Sequence, residues 1–250
     1  MAKNHSPIQL SGTIGDLTFY RTRNGSFVKR KPSLSKKTVE SSPRYSGLHA
    51  HRSAFGEAIR AAHTLRRHLL PFIGIQRDST MQRRLNRLFL QAAHLYGMTP
   101  KDQRHGPGIG ISLLQGFECN NTTSLSAVLH AGISGNFDRS MGNASVSVAS
   151  FVPEDALKYP AGATHVRISM AAAAVNFATR EVQKQFIDGD YLPISKQPTG
   201  SLTLPVSLPA NLPDPVLLLL KLQYFREVNG DMLERFNASC CTCTILKVIS

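Results

Sequence analysis

Residues 164–175 read Thr164-His165-Val166-Arg167-Ile168-Ser169-Met170-Ala171-Ala172-Ala173-Ala174-Val175. Val166, Ile168, Met170 and Ala172 alternate with His165, Arg167 and Ser169, the two-residue period of a strand whose side chains point to opposite faces of a sheet. Further on, Val175, Ala178, Val182 and Phe186 also fit a helix, but the alternation runs into 171–186 and favours strand there. Working outward, residues 201–208, 216–228 and 240–249 read as three more strands, and Asn229-Gly230 supplies a hairpin turn. Upstream, 111–119, 124–133 and 144–152 are short apolar segments separated by Asn, Gly and Ser, and they too read as strands. Strands at such short intervals predict an antiparallel β-sandwich over 106–250.

The first hundred residues are written differently. Residues 17–22 and 26–30 flank Asn24-Gly25, the strongest short hairpin signal, and Gly12 and Gly15 suit a tight bend just before it. Lys31-Pro32 ends the pairing, and 33–43 is polar, basic and expected to be extended. Phe55, Ala58, Ile59, Ala62, Leu65 and Leu69 then recur at helical spacing, with Arg60, His63 and Arg67 on another face; Pro71 is expected to end or kink that helix. Asp78 or Ser79 is the expected cap of a second helix whose stripe is Met81, Leu85, Leu88, Ala92 and Leu95, with Gly97 as its stop. The two helices are expected to pack as an antiparallel pair. Composition shifts to Pro, Gly and charge between residues 98 and 110, which marks a boundary. The fold expected is therefore α+β: a basic hairpin arm and linker over 1–45, a helical pair over 46–105, and a β-sandwich domain over 106–250.

Charge follows the same division. Residues 1–105 carry 19 Lys/Arg and 5 Asp/Glu, a net of +14, whereas 106–250 carry 10 and 11, a net of −1. A hydrophobic share of 42% supports a packed core and argues against a disordered chain. The longest purely apolar stretch, residues 216–220, is far short of the ~20 residues a membrane helix needs. The N-terminus has no apolar run, so a cytoplasmic protein is expected, with release inside a particle as the other route. Cys240, Cys241 and Cys243 are too close in sequence to pair with one another, which suits a reducing compartment.

Catalytic and ligand motifs were tested against their chemistry. Gly106-Pro107-Gly108-Ile109-Gly110 lacks the Gly-Lys-Ser/Thr ending of a phosphate loop and reads as a linker. Gly132-Ile133-Ser134-Gly135 has Asn136 where a hydrolase elbow needs Gly, and reads as a surface turn. Asp188-Gly189-Asp190 opens like a calcium loop, but Thr199 stands where the closing carboxylate belongs, so a solvated turn is expected. His49 and His51 share one side if the segment is a strand, without a third ligand nearby. The terminal cysteines lack the pair spacing of a zinc site and read as small apolar residues. No nucleophile, base and orienter assemble, so no enzyme activity, cofactor, metal or small-molecule substrate is expected.

The basic residues are the remaining signal. Arg21, Arg23, Lys29, Arg30, Lys31, Lys36 and Lys37 lie on or beside one hairpin, interleaved with Phe19, Tyr20 and Phe27. Arg60, Arg67, Arg83, Arg84 and Arg87 extend the surface onto the helices. Such a surface either docks on a neighbouring subunit or follows a phosphate backbone. If about six of these residues met phosphates, binding would fall with salt at a log–log slope near −5.

Gly12-Thr13-Ile14-Gly15-Asp16-Leu17-Thr18-Phe19-Tyr20, then Asn24-Gly25 and Val28-Lys29-Arg30, resembles the opening of a family of uncharacterised bacterial proteins. Phe55-Gly56, Gly116-Phe117-Glu118, Phe225 and Val228-Asn229-Gly230 are similar to the same pattern. This chain departs from it in the Cys-rich last strand and the Pro-rich stretch 193–215. The resemblance implies a two-part architecture and carries over no catalytic residue. The leading expectation is a non-enzymatic structural protein that self-associates as a homo-oligomer into a particle or filament. The alternative is a nucleic-acid-binding protein that uses the same basic surface.

Overall fold

In the computed structural model, which describes residues 2–3, 10–31, 36–74, 78–95, 110–234 and 241–250, the chain divides into two compact units, Met1–His51 and Arg52–Ser250. The first holds strands β1 (Ala2–Lys3), β2 (Gly12–Ile14), β3 (Leu17–Thr22) and β4 (Gly25–Arg30), an antiparallel sheet in the order β1-β4-β3-β2. Gly15 opens the β2–β3 turn with φ 58, a positive angle that glycine adopts at no steric cost. The β3–β4 hairpin forms where it was expected, but its turn is shifted by one residue. Thr22 pairs with Gly25, so Arg23-Asn24 make the loop, and the positive φ of 118 falls on Gly25 alone. Part of 33–43, expected to be extended, is helical as α1 (Lys36–Ser41), and 32–35 lie outside the described residues.

The second unit takes in most of α2 (Ser46–Ile73), then α3 (Met81–Leu95), α4 (Leu125–Val128), β5 (Ile133–Asp138), β6 (Asn143–Val148), α5 (Pro153–Ala156), β7 (His165–Val175), β8 (Val182–Pro193), β9 (Leu202–Ser207), β10 (Val216–Val228), β11 (Asp231–Leu233) and β12 (Thr242–Ile249). β7, β8, β10, β11 and β12 form one antiparallel sheet with β10 paired to β7, β11 and β12; β5, β6 and β9 form another. The strand reading of 171–186 holds. β7 and β8 are joined by a turn in which Asn176 Oδ1 accepts the N–H groups of Ala178 (3.0 Å) and Thr179 (2.9 Å). Asn229 and Gly230 both have positive φ, 53 and 89, and close a two-residue turn between β10 and β11. That is the mirror-image turn whose twist matches the strands it joins.

The large sheet is covered on both faces, which is why its sequence is almost unbroken in apolar residues. Ala171, Ala173 and Val175 of β7 and Leu217 and Leu219 of β10 pack in one cluster with Ala58, Ala62, Leu65 and Leu69 of α2 and Leu85 and Phe89 of α3. The alternate residues Val166, Ile168, Met170, Leu218, Leu220 and Tyr224 face Ala144, Val146, Val148 and Val206 of the smaller sheet in a sandwich-like arrangement. Among the described residues, no helix is long and apolar enough to cross a membrane.

Several sequence expectations are corrected. Residues 111–119 do not form a strand: a 3-10 turn spans Gly110–Leu114, and only Glu118 bridges Thr244, although Gly116, Phe117 and Cys119 exchange backbone hydrogen bonds with the edge of β12. Residues 124–133 hold the short α4, and strand begins only at Ile133. Gly132-Ile133-Ser134-Gly135 therefore enters β5 and is no surface turn. Pro71 does not end α2. It sits exposed in the last turn, where it removes one helical bond, and Phe72 and Ile73 continue inward. Phe55, assigned to the apolar stripe, is 54% exposed. His49 and His51 stand two residues apart on a helix, not on the strand that their spacing as a pair required. Asp188-Gly189-Asp190 lies inside β8 at a register shift opposite Arg167 and Ser169. Gly189 is required there, because an added Cβ would lie 2.5 Å from the Ile168 carbonyl oxygen. Gly97 and most of the glycine-rich linker fall outside the described residues.

Candidate functional site

The basic surface is built by the register of the first sheet. Phe19 opposes Val28, Leu17 opposes Arg30, and Arg21 opposes Ser26, so Ile14, Leu17, Phe19 and Val28 share one face with Arg21 and Arg30. Thr13, Thr18, Tyr20, Phe27 and Lys29 share the other. There the Tyr20 and Phe27 rings stack 5.9 Å apart, and Lys29 Nζ lies 5.4 Å from the Tyr20 ring centre. Arg30 meets Asp16 at 4.0 Å with both side chains strongly exposed, a pair worth little. Arg23 sits in the hairpin loop, Lys31 follows β4, and Lys36 and Lys37 begin α1. None of the residues whose burial is described in this unit is buried.

On the helices the arginines separate into two kinds. Arg60, His63 and Arg67 are exposed along one side of α2, with Arg60 paired to Glu57. Arg83 and Arg87 are exposed one turn apart on α3. Arg84 is turned inward. Its Nη1 donates to the Glu118 carbonyl (2.6 Å), and its Nη2 donates to Asp78 Oδ2 (2.8 Å) and to the Cys119 carbonyl (3.2 Å), with the guanidinium over the Phe117 ring. Asp78 does not cap α3 directly. The first helical bond runs from Arg84 N to the Thr80 carbonyl, and the Asp78 carboxylate accepts Thr80 N (2.6 Å), Thr80 Oγ1 (2.7 Å) and Asn121 N (2.7 Å). Burial opposes its charge, but the Thr80 hydroxyl, the two backbone N–H groups and Arg84 outweigh that and hold its pKa at about 2. Arg84 thus ties α3 to the 117–121 segment.

A second polar group, absent from the sequence reading, lies on the helix-facing side of the large sheet. Asp188 of β8, Ser169 of β7, Lys221 of β10 and Cys243 of β12 are successive cross-strand partners in one row. Arg167, two residues before Ser169, opposes Gln223 and Tyr191 in the next row. Its Nη1 donates to Tyr191 Oη (3.2 Å) and its Nη2 to Gln223 Oε1 (3.4 Å), while its guanidinium lies 4.9 Å from the Phe225 ring centre and 5.2 Å from that of Tyr191. Lys221 is only 8% exposed, with Nζ 4.7 Å above the Phe72 ring and 3.9 Å from Asp188 Oδ1. Burial lowers its pKa; Asp188, Cys243 and Glu234 oppose that shift and Arg167 adds to it. The available signal was one lysine inside a strand otherwise apolar from Val216 to Leu222, since a strand covered on both faces has no solvent side for a charge.

The cysteines serve the core. Cys119, Cys241 and Cys243 are buried, and the contact with Cys243 together with burial pushes the Cys119 thiol up. Among the described residues, no group of three or more His, Cys, Asp or Glu side chains is placed to hold a metal ion. A cleft of about 260 Å³ opens between β8 and β9, lined by Ile168, Ile187, Leu192 and Leu204 with Asp188 and Asp190. No protein-family model matches this chain, and no curated protein matches it. Its function has to be argued from the geometry.

Proposed function

We propose that this chain is a non-enzymatic structural protein that self-associates, with the β-sandwich as its body and the basic N-terminal sheet as the element that docks on neighbouring copies. The observation that carries this reading is the open construction of the first unit. A four-stranded sheet in which none of the residues of described burial is buried cannot stabilise itself through them, yet Ile14 and Leu17 stand 60% and 44% exposed on one of its faces. An apolar face of that kind on a small sheet is completed by another surface. The test is light scattering on the full chain across a salt series, with and without nuclease. Particles that survive both nuclease and high salt are expected, and Ile14→Lys is expected to disperse them. A clean monomer at high concentration and low salt overturns the reading.

A second reading is favoured by the opposite face of the same sheet, where Tyr20, Phe27 and Lys29 meet. Rings beside a cation can stack on unpaired bases while Arg21, Arg23, Arg30 and Lys31 follow phosphates. A monomer that copurifies with nucleic acid and releases it as salt rises would move the conclusion to this second reading.

A further inference from the structure

Two of the buried cysteines come from segments far apart in sequence and meet in the core. The antiparallel bridge between Glu118 and Thr244 sets Cys119 opposite Cys243, and the Cys119 N–H donates to the Cys243 carbonyl at 2.7 Å. Opposed residues of an antiparallel pair hold their Cα atoms about 4.5–5.5 Å apart, within the span of about 4.4–6.8 Å that a disulfide bridges. Both side chains belong to the cluster between the helices and the large sheet, and their thiols are in hydrogen-bond contact. A lone cysteine fills a core gap as any small apolar residue does. Two thiols held against each other across a bridge have a second possibility, which is to join.

We infer that Cys119 and Cys243 are a dithiol–disulfide pair, which a small-molecule disulfide oxidises and which then locks the 116–119 segment to β12. The thiolate of one cysteine attacks a sulfur of the oxidant and releases half of it as a thiolate. The thiolate of the other cysteine then displaces the second half and forms the Cys119–Cys243 bond. Two electrons pass to the oxidant, and the protons of both cysteines end on its two released thiols. Closed, the pair is protected: Cys119 is 1% and Cys243 0% exposed, and thiol contact and burial disfavour the thiolate. Reaction therefore follows local opening of the segment. What holds it shut is the Arg84 guanidinium on the Glu118 and Cys119 carbonyls and the Asp78 carboxylate on the Asn121 N–H. This inference stands apart from self-association, since neither cysteine lies in the basic sheet.

The experiment is a time course of the folded full chain with oxidised glutathione, in which remaining thiols are alkylated before digestion and the peptides are read by mass spectrometry. A peptide pair linked through Cys119 and Cys243 is expected as the main product, lost in Cys243→Ser and kept in Cys241→Ser. The oxidised chain is expected to melt about 5–10 °C above the reduced one, because the bond closes a long loop, and reduction should cancel the gain. Asp78→Asn loosens the latch and is expected to speed cross-linking by about fivefold or more. Glutathione adducts alone, or a link from Cys119 to Cys241 instead, overturn the inference. A Cys119–Cys243 link that leaves the melting temperature unchanged overturns the lock, and equal rates in parent and Asp78→Asn overturn the part given to the latch. If Cys243→Ser does not fold, fragment masses from the parent digest locate the link by themselves.

Discussion

Replacing Asp78 by Asn keeps the shape of the side chain and removes its charge, at the point where α3 is tied to the 117–121 segment. In the folded protein the carboxylate pKa is about 2, against an ordinary 3.8. At about 1.4 kcal/mol per pKa unit, that difference is worth roughly 2.4 kcal/mol. Its side chain is 17% exposed, and screening by solvent reduces the figure to about 1–2 kcal/mol. Because the folded pKa is the depressed one, this stability is fully present above the unfolded pKa. It is lost as pH falls through the folded value. Asp78→Asn is therefore expected to unfold about 1–2 kcal/mol more easily than the parent at pH 7, a fall of roughly 2–8 °C in melting temperature for a unit of this size. The gap between the two proteins is expected to close between about pH 4 and pH 2. Urea unfolding followed by circular dichroism over that range measures it. An Arg84→Met background tests the coupling, since Arg84 shares the carboxylate and the combined loss is expected to be smaller than the sum of the two. Equal stability of the two proteins at pH 7, or a gap that does not depend on pH, would refute this account of the latch.

Leu65→Ala, at a residue 1% exposed in the cluster between α2 and the large sheet, is expected to cost about 2–5 kcal/mol. Helical and β signals in circular dichroism should still be lost together; helix melting ahead of the sheet would contradict a shared core. Gly142→Ala is expected to be severely destabilising, because its φ is 73 and the new Cβ would lie 2.1 Å from the Leu208 carbonyl oxygen. Gly230→Ala, with φ 89 but open space around it, is expected to cost only about 1–2 kcal/mol in the same urea assay. Arg87→Ser changes an exposed residue of α3 and is expected to leave stability within about 0.5 kcal/mol in urea unfolding. Should the chain bind nucleic acid through this arginine, the same variant would lower the salt slope by about one.

How legible each element was in the sequence depends on where its information lies. The strands at 216–228 and 164–175 were legible because an uninterrupted run and a two-residue alternation are local properties. The Asn229-Gly230 turn was legible because the angles it needs belong to those two residues. Residues 111–119 and 124–133 were misread because short apolar segments fit a strand, a 3-10 turn or a single helical turn equally well, and packing chooses among them. Here Glu118 makes the choice through partners that lie far away in sequence. Its carboxylate accepts the Leu125 N–H at 2.9 Å and the hydroxyls of Thr242 and Thr244. The Asn24-Gly25 turn slipped by a residue because the pairing of Phe19 with Val28 and Leu17 with Arg30 sets the register and leaves Gly25 as the residue that bends.

The basic residues show the same limit from the side of function. Composition placed an excess of positive charge in the first hundred residues but treated Arg84 and Arg87 alike, three positions apart on one helix. Arg87 faces solvent, while the Arg84 guanidinium is held by Asp78 and two backbone carbonyls. Conversely, Lys221 comes from the half whose net charge is −1 and drew no attention in the sequence, yet it is only 8% exposed in a cross-strand row with Ser169 and Asp188. Exposed and buried charge belong to different parts of this chain: among the residues of the first unit whose burial is described none is buried, whereas the large sheet carries Lys221 inside a core. The assembly reading therefore draws on the first unit, and a variant at exposed Ile14 should disperse particles while leaving the unfolding of the large sheet and its two cores unchanged.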